Sequence, residues 1–253
     1  MNDIERGPDF LIMGAMKSGT TSLYKYLCQH PDVIPAKEKE LQFFSKKFNK
    51  GLPWYKSQFP LLSNSDQSKI TGEGDPYYMF HPHGPRRIYE TLPHVKLMVL
   101  LRNPTDRAFS HYNYIRRRVK MPFDKALQAE LKHIEKEKQK MLEDEHYISA
   151  FYRDYSFLSR GKYIEQLEAM EKYFDRNQIL VLISEELFED PQKVMSRVFP
   201  FLNIPGYKID RFPVFNNRNY KPMKEATRTF LKDYFQPYNQ RLYRYLGKDL
   251  SWE

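Results

Sequence analysis

Three short stretches of the chain, "DFLIMG" at residues 9–14, "KLMVLL" at 96–101 and "QILVLI" at 178–183, are apolar almost from end to end. A strand with one wet face alternates polar and apolar residues. A run without alternation is buried on both faces, as strands are inside a parallel sheet covered by helices on either side. "KITGEG" at 69–74 is a weaker strand candidate. Helical periodicity separates the runs, over residues 19–29, 104–118, 122–141, 160–174, 190–202 and 224–246. This alternation predicts an α/β fold with a central parallel β-sheet flanked by helices, and it places ligands at the carboxyl ends of the strands. No internal repeat, linker-like stretch or low-complexity tract interrupts residues 1–253, which are read as a single domain. The stretch near 120–147 is dense in charge of both signs. It reads as a solvated helix laced with i,i+4 pairs, with an inserted helix overhanging the cleft as the alternative.

The first strand runs into "GAMKSGTT" (14–21), between strand and helix, so the fold is expected to be P-loop-like. Gly14 and Gly19 have the spacing of the G-x-x-x-x-G-K-[ST] pattern, but Thr20 stands where its lysine belongs and the loop's lysine is Lys17. Backbone N–H groups at a helix N-terminus, with the hydroxyls of Ser18, Thr20 and Thr21 beside them, form an anion site wherever the lysine sits. In nucleoside triphosphatases that lysine reaches the β- and γ-phosphates and a hydroxyl ligates magnesium. Lys17 lies earlier in the loop, and no convincing second magnesium carboxylate is present, since "QILVLI" runs into Ser184 and Glu185. A triphosphate is disfavoured.

A second basic motif follows another strand. "LLRNPTDRAFSHY" places Arg102 at the strand's carboxyl end and Pro104 at the first turn of a helix. Arg107, Ser110 and His111 share a face of that helix by i,i+3 and i,i+4 spacing. Arg102 and Ser110 form a candidate second phosphate site; an ordinary ion pair with Asp106 is the alternative. Net charge is +9, which suits an anionic partner. The single cysteine, Cys28, excludes an intrachain disulfide. No apolar run reaches the roughly 18 residues of a membrane span, and "MNDIERGPDF" lacks a signal-peptide layout. The expected location is cytoplasmic.

These residues resemble sulfotransferases that use 3′-phosphoadenosine 5′-phosphosulfate. The family's K-x-G-T-[ST] loop corresponds to "KSGTT" (17–21) and its R-x-P-x-x-R-x-x-S segment to "RNPTDRAFS" (102–110). Within the family the chain is similar to the heparan sulfate type and its bacterial relatives, through "HPDVIPAKEKELQFFS", "KGLPWYKSQFP" and "GEGDPYYMFHPHGPRRI". The resemblance runs from residue 9 to about residue 205, and the tail looks like that of bacterial members.

The resemblance implies an α/β enzyme that moves a sulfuryl group to a hydroxyl or amine of an acceptor, an oligosaccharide or polysaccharide being the first expectation. Lys17, Ser18, Gly19, Thr20, Thr21 and Ser22 are implied at the 5′-phosphosulfate, Arg102 and Ser110 at the 3′-phosphate. Glu40 of "KELQFF" is implied as the base and Lys17 as the cation at the breaking bond, with no metal required. Gln42, His81 and His83 are acceptor-side candidates, the histidines as rival bases; His111 is assigned to packing or capping. Arg218, Tyr220 and Lys221 of "NNRNYKPM" are assigned to closing over the nucleotide. The chain departs from relatives at Gln42, where the 3-O type has histidine, at Ser45, where some have aspartate, and at Gly74–Asp75, where glycan-modifying members carry lysine. Other readings are a small-molecule, lipid or peptidyl acceptor, a nucleotide kinase, a nucleic-acid binder, and membrane-surface attachment through the terminal helix. None of the recognised nucleic-acid modules is present, so nucleic acid is not an expected partner.

Overall fold

The computed structural model describes residues 7–61, 66, 68–215 and 220–252. In chain order the elements are β1 (Phe10–Gly14), α1 (Thr20–Leu27), β2 (Val33–Pro35), α2 (Phe43–Lys46), α3 (Gly51–Lys56), β3 (Ile70–Gly74), α4 (Gly84–Thr91), β4 (Lys96–Leu101), α5 (Pro104–Val119), α6 (Phe123–Glu143), α7 (Ala150–Asp154), α8 (Tyr163–Glu171), β5 (Ile179–Ile183), α9 (Ser184–Glu189), α10 (Pro191–Leu202) and α11 (Glu225–Leu246). The chain divides into two compact units, Met1–Leu101 with Met170–Asn217, and Arg102–Ala169 with Arg218–Glu253.

The first unit holds the expected sheet. Five strands lie in the order β2-β3-β1-β4-β5, every neighbouring pair parallel. The three apolar runs became β1, β4 and β5, and "KITGEG" became β3. In the middle strand Phe10, Leu11, Ile12 and Met13 are all fully buried, so both faces are covered. Phe10 and Ile12 pack with Leu23 and Leu27 of α1 and Val198 of α10 in one apolar cluster, where each large side chain contributes roughly 1.5–3 kcal/mol by leaving water. β3 lies close against β1: a Cβ on Gly72 would stand 2.4 Å from the Phe10 carbonyl oxygen. Leu11 is in register with Glu73 and Ile12 with Gly74, so the segments leaving these two strands start side by side.

The second unit is helical. Ala108 and Ile115 of α5 share a core with Leu127 of α6, Phe157, and Leu231 and Phe235 of α11. α5 starts where expected. The Asn103 side chain accepts the N–H of Thr105 at 3.0 Å, and Pro104, with no N–H to satisfy, takes the first helical position. The charged stretch is a continuous helix, α6, that buries Phe123, Ala126, Leu127, Glu130, Ile134 and Met141. It is solvated on one face only. No helix among the described residues is long and apolar enough to cross a membrane.

Candidate active site

The loop between β1 and α1 is shaped for an anion. Gly19 caps α1 with φ 96° and ψ 17°, a left-handed conformation open to glycine and strained for other residues. Lys17 adopts φ 72° despite its side chain, a cost of roughly 1–3 kcal/mol of the kind that gathers at functional loops. The first helical hydrogen bond runs from Leu23 N–H to the Gly19 carbonyl at 3.1 Å. The N–H groups of Thr20, Thr21 and Ser22 therefore precede any intrahelical partner, and the positive end of the helix dipole lies with them. Ser18 is fully buried, and its Oγ finds no hydrogen-bond partner among the described residues. A buried hydroxyl without a partner costs about 1–3 kcal/mol, a deficit that phosphate oxygens at this loop would remove. The residues present fit a phosphate group.

Glu40 and Gln42 lie on a second loop of the same unit. Both have left-handed backbones, φ 63° and φ 60°. The Glu40 carboxylate, about half exposed, accepts the Lys39 ammonium at 2.7 Å. The Gln42 side-chain oxygen accepts from Lys46 Nζ at 3.2 Å. The loop is tied to β3, because Leu41 N–H donates to the Glu73 carboxylate at 3.0 Å. Burial, and then the neighbouring Asp75, push the Glu73 carboxyl up to about 7. β3 pairs with β1, so the two loops are anchored on adjacent parallel strands. Nothing in composition or spacing marked Glu73. The signals were a carboxylate inside a strand, which demands buried partners, and its place at the head of the family-like stretch "GEGDPYYMFHPHGPRRI".

His81 and His83 sit in the segment after β3 and are buried, at 5% and 7% exposure. The His83 N–H donates to His81 Nδ1 at 3.2 Å, and the His81 ring meets Tyr77 edge-on at 5.3 Å. Met79 N–H donates to the Met13 carbonyl at 3.0 Å, holding this segment against the end of β1.

In the second unit, Arg102 is half-buried and its carbonyl accepts the Tyr163 hydroxyl at 2.8 Å. Asp106 pairs with Arg228 at 3.2 Å. Arg107, Ser110 and His111 are all buried on one face of α5, as their spacing predicts. Arg107 donates to the Phe157 carbonyl, its pKa lowered chiefly by burial, and the His111 ring packs on Phe157 at 4.9 Å. Tyr220 is half-buried, edge-on to Phe109 at 6.4 Å, and Lys221 is exposed. Arg218 lies outside the described residues.

A parallel sheet with a glycine-and-lysine loop between its central strand and the following helix defines a P-loop-like α/β enzyme. The sulfotransferase domain family matches residues 7–249, and the chain belongs to that family of enzymes, whose general donor is 3′-phosphoadenosine 5′-phosphosulfate. It is 25% identical over 313 residues to the membrane-associated sulfotransferase kil1 of Dictyostelium discoideum, covering 97% of this chain and 66% of that protein. It is 28% identical to the human heparan sulfate glucosamine 3-O-sulfotransferase 6, covering 98% of this chain and 74% of that one. Among solved structures, a sulfotransferase from Alicyclobacillus acidocaldarius superposes with a TM-score of 0.75 at 29% identity, covering 98% of this chain and 99% of that chain.

Proposed function

We propose that this sulfotransferase takes its sulfuryl group from 3′-phosphoadenosine 5′-phosphosulfate and passes it to a hydroxyl or amine of a glycan. The carrying observation is the β1–α1 loop: Lys17 held in a left-handed backbone, the buried Ser18 hydroxyl and the open N-terminus of α1. The donor supplies an activated sulfuryl group on a phosphate. Lys17, Ser18, Gly19, Thr20, Thr21 and Ser22 bind the phosphate nearest that group. Arg102 and Ser110 bind the 3′-phosphate, and Tyr220 and Lys221 lie on the segment assigned to cover the nucleotide, with Arg218 beside them in sequence.

Glu40 removes the acceptor proton as the acceptor oxygen or nitrogen forms its bond to sulfur. The bond between sulfur and the bridging oxygen breaks, and Lys17 stabilises the charge arriving on the phosphate. The two groups act from loops anchored on neighbouring strands, which favours in-line alignment. Gln42, His81 and His83 are assigned to the acceptor side. The glycan is supported by the human relative, whose name places it on heparan sulfate glucosamine, and by the lysines around Glu40, which suit an anionic chain.

Calorimetry with adenosine 3′,5′-bisphosphate tests the donor site against ATP with magnesium. Wild type is expected to bind the bisphosphate and to discriminate against ATP. Lys17→Ala and Arg102→Ala each remove a charged hydrogen-bond donor worth about 1.5–3 kcal/mol, weakening binding roughly 10- to 150-fold. A preference for ATP, or no effect of either substitution, overturns the reading.

A further inference from the structure

Glu73 is a fully buried carboxylate whose three hydrogen bonds all lead toward the Glu40 loop. Its Oε2 accepts the Leu41 N–H at 3.0 Å. Its Oε1 accepts the Tyr55 hydroxyl at 2.8 Å and the Tyr78 hydroxyl at 2.9 Å. The Tyr78 oxygen in turn accepts the Phe43 N–H at 3.0 Å. Glu73 thus holds the backbone on both sides of Gln42, directly at Leu41 and through one hydroxyl at Phe43. Leu41 is also the residue after Glu40.

This restraint falls where the backbone needs one. Glu40 and Gln42 are both non-glycine residues at positive φ, a conformation that persists only when surrounding structure over-determines it. The surroundings are packed aromatic rings. Tyr55 stacks on Phe43 with centroids 4.4 Å apart and planes at 10°, and Phe44 meets Tyr78 edge-on at 5.2 Å. A hydrophobic side chain would fill the same place without the cost of burying a carboxylate, so the acid is kept for what it holds.

We propose that Glu73 is a positioning residue for sulfuryl transfer, fixing the backbone of residues 41–43 and so the direction in which Glu40 and Gln42 present their side chains. The inference rests on the reading of Glu40 as the base. Glu73 does not touch the acceptor or the donor; it acts through the loop.

The test is Glu73→Gln, which preserves shape and can still accept both tyrosine hydroxyls at Oε1, but sets an amide donor against the Leu41 N–H. Sulfuryl transfer from labelled donor to N-desulfated heparin, which carries both amines and hydroxyls, is measured beside bisphosphate calorimetry and amide hydrogen exchange. The expected result is a kcat lower by about 10- to 100-fold, the scale of a displaced catalytic group, with bisphosphate affinity and donor KM unchanged within about twofold. Exchange at Leu41 and Phe43 should speed by about tenfold or more while β1 stays protected. Tyr78→Phe, which cuts only the relay to Phe43, should show a smaller fall in kcat, and the double variant less than the product of the two. A kcat at the wild-type level in Glu73→Gln overturns the proposal, as does a fall in donor affinity equal to the fall in kcat, or unaltered exchange at Leu41. If wild type itself fails to bind the bisphosphate, the functional reading fails instead. If wild type binds it but does not sulfate N-desulfated heparin, the glycan is wrong, and the exchange measurement alone decides whether Glu73 holds the loop.

Discussion

Glu130, buried on α6, accepts both the backbone N–H and the hydroxyl of Ser159, each at 2.8 Å. A third bond, from the Leu158 N–H at 2.7 Å, completes the site. One carboxylate therefore satisfies the first two N–H groups of the turn over residues 158–161. Burial pushes the carboxyl up to about 7, against the opposing pull of its hydrogen bonds to Leu158 and Ser159 and, least, of the Arg107 charge. Glu130→Ala leaves the N–H groups of Leu158 and Ser159 and the Ser159 hydroxyl without their acceptor. The expected loss is about 2–6 kcal/mol, at roughly 1–3 kcal/mol for each N–H left unsatisfied, read from the shift of the urea midpoint at constant slope. A loss below about 1 kcal/mol, the range of an ordinary surface change, would show that the turn is held by packing alone.

The two buried glutamates predict a common pH dependence. Glu73 and Glu130 are both raised from 4.5 to about 7, each mainly by burial. Between those values the folded chain binds more protons than the unfolded one, so each group makes stability fall as pH rises from about 4.5 through 7. At about 1.4 kcal/mol per pKa unit, each contributes on the order of 3 kcal/mol to that fall. Glu137, lowered to about 2 by its hydrogen bonds to Lys140 and Ser149, opposes the trend only below this window. Tm recorded from pH 5 to pH 8 should decline more steeply in wild type than in Glu73→Gln or Glu130→Gln. Parallel curves would refute the ionisation of these groups as its cause.

How much of this was legible in the sequence follows from the range of the forces involved. β1, β4 and β5 were readable because burial on both faces writes itself into every residue of the strand. β3 was faint, since Gly72 is required by the approach of Phe10 and Glu73 by partners 32, 18 and 5 residues away in sequence. β2 has three residues, too few for any period, and the helices α2, α3, α4, α7 and α9 were not read. The predicted helix over 160–174 is instead a 3-10 turn at Ser159–Gly161 followed by α8 at Tyr163–Glu171, with N–H groups of residues 158 and 159 drawn to Glu130. The strand-to-helix loop after β1 was legible because glycine spacing and hydroxyls are local. The restraint on the Glu40 loop was not, because it is built from residues of four separate segments.

Gly19 and Phe188 couple the loop to α9. A Cβ on Gly19 would stand 2.9 Å from the Phe188 ring, and the backbone there has φ 96°. Gly19→Ala should cost about 1–2 kcal/mol in backbone strain alone, with further cost from the ring contact, and weaken bisphosphate binding by about tenfold or more through the displaced N–H groups. Phe188→Ala in the same chain removes the clash but not the strain. Calorimetry and thermal melts should therefore show partial recovery in the double variant. Complete recovery would mean that the left-handed conformation carries none of the cost, and no recovery that the ring carries none.

The proposed mechanism separates binding from chemistry most sharply at Glu40. Its carboxylate is held by Lys39 at 2.7 Å on a loop distinct from the one that holds Lys17. Glu40→Gln keeps the size and the hydrogen-bonding oxygen but cannot accept a proton. A general base contributes about 10²- to 10⁴-fold, so kcat should fall by that factor while bisphosphate affinity stays at the wild-type value. Lys17→Ala should lower both, because the proposed mechanism uses the same cation to bind the ground state and to stabilise the charge that develops on the leaving phosphate. His81→Asn and His83→Asn supply the control for the rival bases: buried and packed on one another, they should lower stability more than kcat. Near-normal turnover in Glu40→Gln together with a large loss in either histidine variant would move the base from the Glu40 loop to the segment after β3, and the positioning role of Glu73 would fall with it.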